Sequence, residues 1–461
     1  MPKITLIGAG STVFAKHVLS DILTYPELRQ SHLVLHDINQ QRLDDSLRVL
    51  QRVCSRLNVH TKIDSTLNRR DALRNSDYVI GMFQIGGYHP STVIDFEIPR
   101  KFGLSQTIGD TLGIGGIMRG LRTIVALEGM LRDMEELCPH ALFINYVNPM
   151  AINMWATFRL SPIRAIGLCH SVRYTARQLS ADLRVPYEEV NYLVAGINHM
   201  AFFLKLEHSG EDLYPALRKF HQSGQVPEWN RVRYDLFHRL GYFVTESSEH
   251  LAEYVPWYIQ SRRPELIDKF NIPIDEYLGR CEAQLQTWKF LQKEIANPGT
   301  VTELDIREAI KDIQIMPKMR SYYANSLKGL HTVARSEEYA GEIIHSIETN
   351  TPRIIYGNVK NEGCIENLPN ECCVELPCLV DGNGIQPTKI GKIPLQLAAL
   401  MQTNINVQEL TVEAALTFNR EHIYHAAMLD PHTGAEMDLD SIYRMVDELI
   451  AAHGEYLPNF N

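Results

Sequence analysis

The sequence has no excess of positive charge, no long apolar run and no dense set of cysteines. Its 461 residues carry 45 Lys and Arg against 55 Asp and Glu, and this net charge of -10 argues against binding to nucleic acid or an anionic membrane. No apolar stretch reaches the roughly 20 residues that a transmembrane helix needs. Eight cysteines are too few for a disulfide-stabilised secreted scaffold. These absences favour a globular protein that binds a small neutral or weakly charged molecule.

The opening residues, MPKITLIGAG, have the pattern of a β-strand rather than that of a cleavable signal. We therefore expect a cytoplasmic protein. A reducing compartment keeps cysteines as thiols, so each of them is available as a core residue or as a metal ligand.

Short apolar runs rich in β-branched residues alternate with helical stretches through the first 195 residues. The strand-like runs are KITLIGAG, HLVLHDI, DYVIGMFQIGG and ALFINYVNP, and helices are predicted from about Val13 to Leu28 and from about Gln40. This alternation is typical of a doubly wound parallel sheet. We predict an α/β protein whose N-terminal domain, residues 1–195, is a Rossmann-like sheet of the lactate and malate dehydrogenase type.

The pattern changes beyond Gly196. The run AFFLKLEH predicts an antiparallel strand, and helical patterns extend from about Pro264 to Ala296. A strand-and-turn region from IIYGNVK to GNGIQP precedes amphipathic helices from about Leu395 to His453. We predict that residues 196–461 form an α+β domain that binds substrate and takes part in assembling a homodimer or homotetramer.

A candidate nucleotide site follows the first predicted strand, where Gly8, Gly10 and Ser11 precede a helix. Small residues there let the backbone approach a pyrophosphate held at the helix N-terminus. Val13 stands where a third glycine is usual, and glycine turns also occur for purely structural reasons. Asp37 ends the second predicted strand, where a carboxylate binds both adenosine ribose hydroxyls and disfavours a 2′-phosphate. A turn or helix-capping role would explain Asp37 alone, but the combination predicts NAD rather than NADP.

Cys169 and His199 each follow an apolar strand-like run, IRAIGL and YLVAGI. If both residues lie at strand carboxyl ends, they converge on the crevice where α/β proteins bind ligands. A thiolate and an imidazole with open positions suit Mn²⁺, Fe²⁺, Co²⁺, Ni²⁺ or Zn²⁺. Taken as two isolated residues, they are explained better as a buried small cysteine and a satisfied core histidine.

Further motifs connect these residues to a known family. They are Ile108-Gly109-Asp110-Thr111 with Gly115-Gly116, Asn145-Tyr146-Val147-Asn148-Pro149, Gly167-Leu168-Cys169-His170-Ser171-Val172 and Gly196-Ile197-Asn198-His199-Met200. Together they resemble the NAD- and divalent-metal-dependent glycoside hydrolase family four. The resemblance runs nearly the full chain, including ESSEHLAEYVPWY and YHAAMLDPHT, and is closest to the melibiose-type α-galactosidases within the family.

The resemblance implies roles for individual residues. It makes Cys169 and His199 the ligands of a metal, usually Mn²⁺, and Asn148 a contact to a sugar hydroxyl, although an Asn-Pro turn explains Asn148 almost as well. Asp110 resembles a proposed proton donor and is otherwise a turn residue. His170 stands where the phospho-sugar branch carries a proton-donating carboxylate, so this role belongs to an imidazole here or has moved.

The base that removes a sugar proton is predicted less directly. The family uses a tyrosine in some branches and a carboxylate in others, and GYFVTESSEH offers Tyr242 and Glu246, of which we prefer Glu246. A surface carboxylate near a helix start explains Glu246 equally well. Trp257 would suit stacking on a sugar ring, but a tryptophan in VPWYI is more often a core residue.

The implied function is hydrolysis of α-galactosides such as melibiose, with a small-molecule substrate and no nucleic acid or membrane partner. The family oxidises the sugar at C3 with NAD, removes the C2 proton with help from the metal, eliminates the aglycone and adds water. The same chemistry on an α-glucoside or uronate is the first alternative. A conventional NAD-dependent dehydrogenase and a non-catalytic NAD-binding regulator are the others, because fold alone does not select a function.

Overall fold

The computed structural model describes all 461 residues, and its twelve strands form one mixed sheet. The strands are β1 Lys3–Ile7, β2 His32–His36, β3 Lys62–Thr66, β4 Tyr78–Gly81, β5 Leu142–Asn145, β6 Arg164–Gly167, β7 Val190–Ile197, β8 Met200–His208, β9 Glu211–Asp212, β10 Arg353–Lys360, β11 Cys373–Asp381 and β12 Gly384–Pro387. Their order is β3-β2-β1-β4-β5-β6-β10-β11-β7-β8-β9, and β12 pairs with β11.

Twenty α-helices surround and extend this sheet. They are α1 Thr12–Thr24, α2 Gln40–Leu57, α3 Arg69–Leu73, α4 Val93–Lys101, α5 Gly113–Leu137, α6 Met150–Leu160, α7 Ser171–Leu183, α8 Tyr214–Gln222, α9 Arg231–Leu240, α10 Ser248–Tyr254, α11 Glu265–Phe270, α12 Glu276–Ala296, α13 Glu303–Ala309, α14 Pro317–Ala324, α15 Ser326–His331, α16 Ala340–Thr349, α17 Leu395–Thr417, α18 Glu421–Leu429, α19 Pro431–Glu436 and α20 Leu439–His453. None of them is both long and apolar enough to cross a bilayer.

The first six strands are parallel and confirm the predicted doubly wound sheet. Their order, 3-2-1-4-5-6, is that of a dinucleotide-binding fold, which brings the carboxyl ends of all six strands to one edge. Strand β3 was not predicted, because KIDST is a polar edge strand with little burial. The predicted helix from Val13 to Leu28 is also shorter: α1 ends at Thr24, and a single 3₁₀ turn, Pro26–Leu28, follows.

The remaining strands are antiparallel and continue the same sheet. Strand β10 pairs with β6 through Asn358 and Gly167, and β11 pairs with β7 through Glu375 and Gly196. A single apolar cluster of 98 buried residues includes members from both halves of the chain. The predicted division after residue 195 falls inside β7, so two separate domains stay a prediction.

Candidate active site

The glycine turn between β1 and α1 is shaped by close approaches that exclude side chains. Gly8 has φ +90°, and a Cβ atom there would lie 2.7 Å from the carbonyl oxygen of Met82. A Cβ on Gly10 would lie 2.5 Å from Oδ2 of Asp37. Ser11 then precedes α1 without capping it through its side chain, so the first-turn N–H groups of the helix remain available to an anion.

The carboxylate of Asp37 braces this turn. Its Oδ2 accepts the N–H of Gly10 at 2.7 Å and its Oδ1 accepts the N–H of Asn39 at 2.9 Å. The cap of α2 is Asn39, whose side chain accepts the N–H of Arg42, so Asp37 is not the helix cap. Each carboxylate oxygen can accept a second hydrogen bond. Together with Ile38, which is 90% exposed beside it, Asp37 offers polar and apolar contacts to an adenosine group.

Two contacts near this turn were not predicted. Arg42 donates to the carbonyl oxygen of Gly10 at 3.3 Å, and its guanidinium lies 5.3 Å from the ring centre of Trp288 on α12. An element of the C-terminal half therefore reaches the nucleotide turn. Only the tertiary structure brings Trp288 there, so no local sequence signal reveals this contact.

A thiol, an imidazole and a carboxylate meet at the end of β6. The ligand atoms of Cys169, His199 and Glu246 all lie within 4.8 Å of one another. Cys169 is half-buried and His199 is buried. Three donors of this kind leave open positions for substrate oxygens, and the sulfur and nitrogen favour a divalent transition metal over Mg²⁺ or Ca²⁺. The side chains present therefore fit a divalent metal.

Cys169 and His199 meet by a different route from the one expected. Cys169 follows a parallel strand as predicted, but β7 runs antiparallel to β11, β11 to β10 and β10 to β6. Strand β7 thus runs opposite to β6. His199 lies in the two-residue turn between β7 and β8, with φ +64°, rather than at the carboxyl end of a parallel strand.

A buried tyrosine orients His199. The hydroxyl of Tyr254 lies 3.0 Å from Nδ1 of His199, while Nε2 faces Oε2 of Glu246 at 3.3 Å. Burial lowers the pKa of His199 to about 4, so the imidazole is neutral at pH 7. With Nδ1 engaged by Tyr254, Nε2 is the nitrogen that can bind a cation.

Opposite pKa shifts characterise the other two donors. Burial and the nearby carboxyls of Glu375 and Glu246 raise the pKa of the Cys169 thiol well above its usual value. Burial opposes ionisation of Glu246 as well, but the histidines His199, His250 and His170 outweigh it and lower its pKa to about 2. Binding of a cation would reverse the preference at Cys169, because a metal-bound thiol loses its proton.

Asp110 lies in a loop whose backbone is hydrogen-bonded to the buried carboxylate of Glu253. Glu253 accepts backbone N–H groups of residues 107 to 109, including that of Gly109 at 2.8 Å. Burial opposes ionisation of Asp110, but Arg119, His250 and His199 lower its pKa below the usual value. The nearest guanidinium nitrogen of Arg119 is 3.7 Å away. The carboxylate is thus ionised at neutral pH, which suits a proton acceptor or an orienting group better than the predicted proton donor.

Asn148 and His170 both lie near these groups. Asn148 donates to Oδ2 of Asp110 at 3.4 Å. The side chain of His170 is 62% exposed, and its Nδ1 lies 3.7 Å from Oε1 of Glu338. Burial raises the pKa of Glu338. His170 therefore stands at the open side of the cluster, beside Cys169.

Tyr242 and Trp257 are placed differently. The ring of Tyr242 packs edge-on against Tyr214, with ring centres 6.0 Å apart. A base role for Tyr242 stays a prediction. Trp257 is 46% exposed, so the expectation of a core tryptophan is wrong.

His250 was not among the residues predicted from the sequence, although the sequence contains a signal for it. His250 and Tyr254 are spaced four residues apart within ESSEHLAEY, and both belong to α10, which places them on one face of that helix. Nδ1 of His250 lies 3.4 Å from Oε1 of Glu246, and Nε2 lies 4.0 Å from Oδ1 of Asp110. His250 thus lies between the carboxylate of Asp110 and that of Glu246, which is one of the three donors.

Comparisons with known proteins match the whole chain. The family model "Family 4 glycosyl hydrolase" matches residues 3–185, and "Family 4 glycosyl hydrolase C-terminal domain" matches residues 194–433. A Bacillus subtilis protein named alpha-galactosidase is 44% identical over 461 residues, 100% of both chains. A Rhizobium meliloti protein of the same name is 31% identical over 466 residues, which cover 99% of this chain and 89% of that one.

Solved structures share the fold. The 6-phospho-beta glucosidase of Thermotoga maritima, in a structure with manganese, NAD⁺ and glucose-6-phosphate, has a TM-score of 0.76. It is 21% identical, and the match covers 100% of each chain.

Proposed function

This chain belongs to family 4 of the glycosyl hydrolases, and from that premise we propose that it is an α-galactosidase that uses NAD and a divalent metal. Membership confirms the family predicted from the motifs. It favours glycoside hydrolysis over a hydroxy-acid dehydrogenase or a non-catalytic NAD-binding protein. The galactoside preference is supported by the 44% identity to an alpha-galactosidase over the full length of both chains.

One observation carries the mechanism: the donor cluster of Cys169, His199 and Glu246. A displacement glycosidase needs two carboxyl groups flanking the scissile bond and has no use for a thiol–imidazole pair. NAD and the metal, when bound, supply reversible oxidation of the sugar at C3 and Lewis-acid polarisation of neighbouring oxygens. Mn²⁺ is the metal we propose.

The NAD-binding role rests on the turn at Gly8, Gly10 and Ser11 and on Asp37. The turn leaves room for a pyrophosphate at the start of α1, and Asp37 can still accept ribose hydroxyls. An acid at this position disfavours NADP, because the 2′-phosphate of that cofactor would face a carboxylate.

Glu246 is the third donor to the cation in our assignment, in place of the base role predicted from sequence. Its Oε2 lies 3.3 Å from Nε2 of His199, the nitrogen that would bind the cation. The proton acceptor at C2 is then His250, whose Nδ1 lies 2.8 Å from Oγ of Ser247 and whose Nε2 lies 4.0 Å from Oδ1 of Asp110. Asn148 holds a sugar hydroxyl, and His170 protonates the leaving oxygen from the open side.

Two variants separate the roles of Glu246 and His250. We expect Glu246→Gln to weaken Mn²⁺ binding by about tenfold or more, because it loses an anionic ligand. We expect His250→Gln to keep Mn²⁺ affinity within a few-fold and to lose turnover. If Mn²⁺ binds normally to Glu246→Gln while its turnover is lost, the carboxylate is the base instead.

The substrate and the mechanism are tested together by nitrophenyl α- and β-glycosides with NAD⁺ and Mn²⁺ under reducing conditions. We expect hydrolysis of the α-galactoside without accumulation of NADH. The glucoside and uronate in this panel test the alternative substrates.

Isotopic labelling tests the oxidation and elimination directly. Galactose released in D₂O should carry deuterium at C2, because the mechanism breaks the C2–H bond and a displacement enzyme leaves it intact. Substrates labelled at C2 and at C3 are run in parallel, since a shielded base would return the original proton. Absence of both isotope effects, together with full activity after removal of NAD⁺, contradicts the proposal.

A cytoplasmic location and a homodimeric or homotetrameric assembly stay predictions. All eight cysteines are free thiols, as a reducing compartment would keep them. Light scattering combined with size exclusion measures the number of subunits directly.

A further inference from the structure

A fully buried arginine lies behind the donor cluster. Arg233, on α9, is 0% exposed, and each of its three guanidinium nitrogens donates a hydrogen bond. Nε donates to Oδ1 of Asn230 at 2.7 Å, and Nη1 donates to Oγ1 of Thr175 at 3.1 Å. Nη1 also donates to the backbone carbonyl of Glu246, and Nη2 donates to Oε1 of Gln178. Four acceptors from three separate segments thus surround one side chain.

All four acceptors are neutral. A buried guanidinium is costly to desolvate, and it is usually paired with a carboxylate. No carboxylate is among its hydrogen-bond acceptors. Burial lowers the pKa of Arg233, and the nearby carboxylates of Glu246 and Glu249 oppose that shift. Two of the acceptors, Thr175 and Gln178, belong to α7, which begins two residues after Cys169. A third acceptor is the backbone of Glu246, so Arg233 links the segments that carry two of the donors.

The contact to Glu246 falls on an unusual backbone conformation. Glu246 has φ +68°, in the left-handed region that residues other than glycine rarely adopt. The preceding residue is fixed as well, because the N–H of Thr245 donates to the carbonyl oxygen of Ala201 at 2.8 Å. Such a conformation persists only where surrounding contacts determine it. The bond from Arg233 to the Glu246 carbonyl is one of those contacts.

We propose that Arg233 is a positioning residue that holds Glu246 in its left-handed conformation and joins it to the helix after Cys169, so that the thiol and carboxylate donors keep their spacing for the cation. The inference rests on the proposed function, in which Glu246 is a metal donor. The bonds to α7 anchor Arg233, and it acts on the cation site through its bond to the backbone of Glu246.

A double-mutant cycle tests this with Co²⁺ as the probe, in the full-length protein without substrate. We expect Arg233→Lys to weaken Co²⁺ binding by about tenfold or more, the scale typical of lost support for a metal ligand. In the Glu246→Gln background the same change should alter the Kd by less than about twofold, because interacting residues are non-additive. The d–d absorption bands of Arg233→Lys should resemble those of Glu246→Gln, since both lose the same donor.

The matched control is Arg122→Lys, the same change at another fully buried arginine, which binds Asp95 and lies outside the site. It should leave the Co²⁺ Kd and spectrum unchanged, whatever it costs in stability. Arg233→Met is a second variant, and NAD affinity checks that each variant is folded.

Equal effects of Arg233→Lys in both backgrounds would overturn the proposal, as would an unaltered Co²⁺ spectrum. Failure of the proposed function gives a different result, because the wild-type protein would then show no thiolate-to-Co²⁺ charge-transfer band. Unchanged Co²⁺ affinity in the single variant Glu246→Gln would show that the carboxylate is not a donor. That result would also contradict the positioning role of Arg233.

Discussion

At the scale of single residues, the site combines groups whose protonation states burial has moved in opposite directions. Burial favours the neutral form of any titratable group, so it raises the pKa of Cys169 and lowers that of His199. Glu246 stays ionised because histidines surround it. Without a cation the site therefore holds a thiol, a neutral imidazole and a carboxylate.

The first prediction concerns the proton on Cys169. Because the pKa of this thiol is raised, metal binding must release its proton, and Mn²⁺ affinity should rise by about tenfold per pH unit between pH 6 and 8. Cys169→Ser should lose most metal affinity and this pH dependence, while NAD affinity stays the same. Calorimetric titration at three pH values measures both. A wild-type affinity for Mn²⁺ that does not change with pH would argue against a thiolate ligand.

A second prediction concerns Glu375, which lies between the strands that lead to Cys169 and His199. Burial raises its pKa from 4.5 to about 8. Between these pH values the folded protein holds one proton more than the unfolded chain, so its free energy of unfolding falls as pH rises. Glu375→Gln cannot ionise. When the pH rises from 5 to 8.5, the free energy of unfolding of Glu375→Gln should therefore increase relative to that of the wild type by a few kcal/mol, on the order expected for such a pKa shift.

Urea denaturation of the metal-free proteins at both pH values measures this difference. Other titrating groups contribute equally to the two proteins, so they cancel in the comparison. A stability difference that is the same at pH 5 and pH 8.5 would show that Glu375 is already ionised in the folded protein.

At the scale of elements, turns between strands and helices carry the functional groups. The β1–α1 turn is tight enough that Gly10 and Asp37 touch, and the carboxylate both shapes the turn and faces the ribose position. The β7–β8 turn presents His199, and the loop before α10 presents Glu246. The strands and helices on either side of these short segments hold them at defined positions.

The third prediction concerns the β1–α1 turn. Asp37→Ala should weaken NAD binding by about 1.5 to 3 kcal/mol, the range for lost hydrogen bonds to a charged group, and leave Mn²⁺ affinity unchanged. Asn39→Ala is the matched control, because it removes the cap of α2 without removing a ribose acceptor. Fluorescence titration with NADH compares the two. Equal losses in both variants would mean that Asp37 acts only by holding the turn.

At the scale of the whole molecule, the two halves share one sheet and one core. Strand β10, from the C-terminal half, covers the edge of β6, and α17 packs against α5 and α6. Helix α12 reaches the nucleotide turn through Trp288. Neither half therefore buries its own apolar surface completely.

The fourth prediction follows from this shared core. Metal-free and NAD-free protein should unfold in one transition, with calorimetric and van't Hoff enthalpies that agree. A fragment of residues 1–195 should aggregate, because it exposes the edge of β6 and the faces that α16 and α17 cover. Scanning calorimetry and light scattering test the two statements. Two separate transitions, or a monomeric and folded fragment, would support independent domains instead.

Local features of this protein were determined by the sequence alone. Alternating apolar runs predicted the parallel sheet, and the spacing from Gly8 to Asp37 predicted the nucleotide turn, because periodicity and short-range geometry are encoded within a few residues. Motif resemblance identified the family and singled out Cys169 and His199. The helical spacing of His250 and Tyr254 was also present in the sequence, although its meaning became clear only in three dimensions.

The tertiary structure decided how distant segments meet. Strands β10 and β11, from residues 353–381, insert between β6 and β7 and reverse the direction of β7, so His199 arrives on a hairpin turn. The third donor and Arg233 likewise depend on contacts between segments far apart in sequence. No local pattern encodes these contacts, because packing of the whole chain sets strand order and direction. The residues adjacent in sequence do not determine either of them.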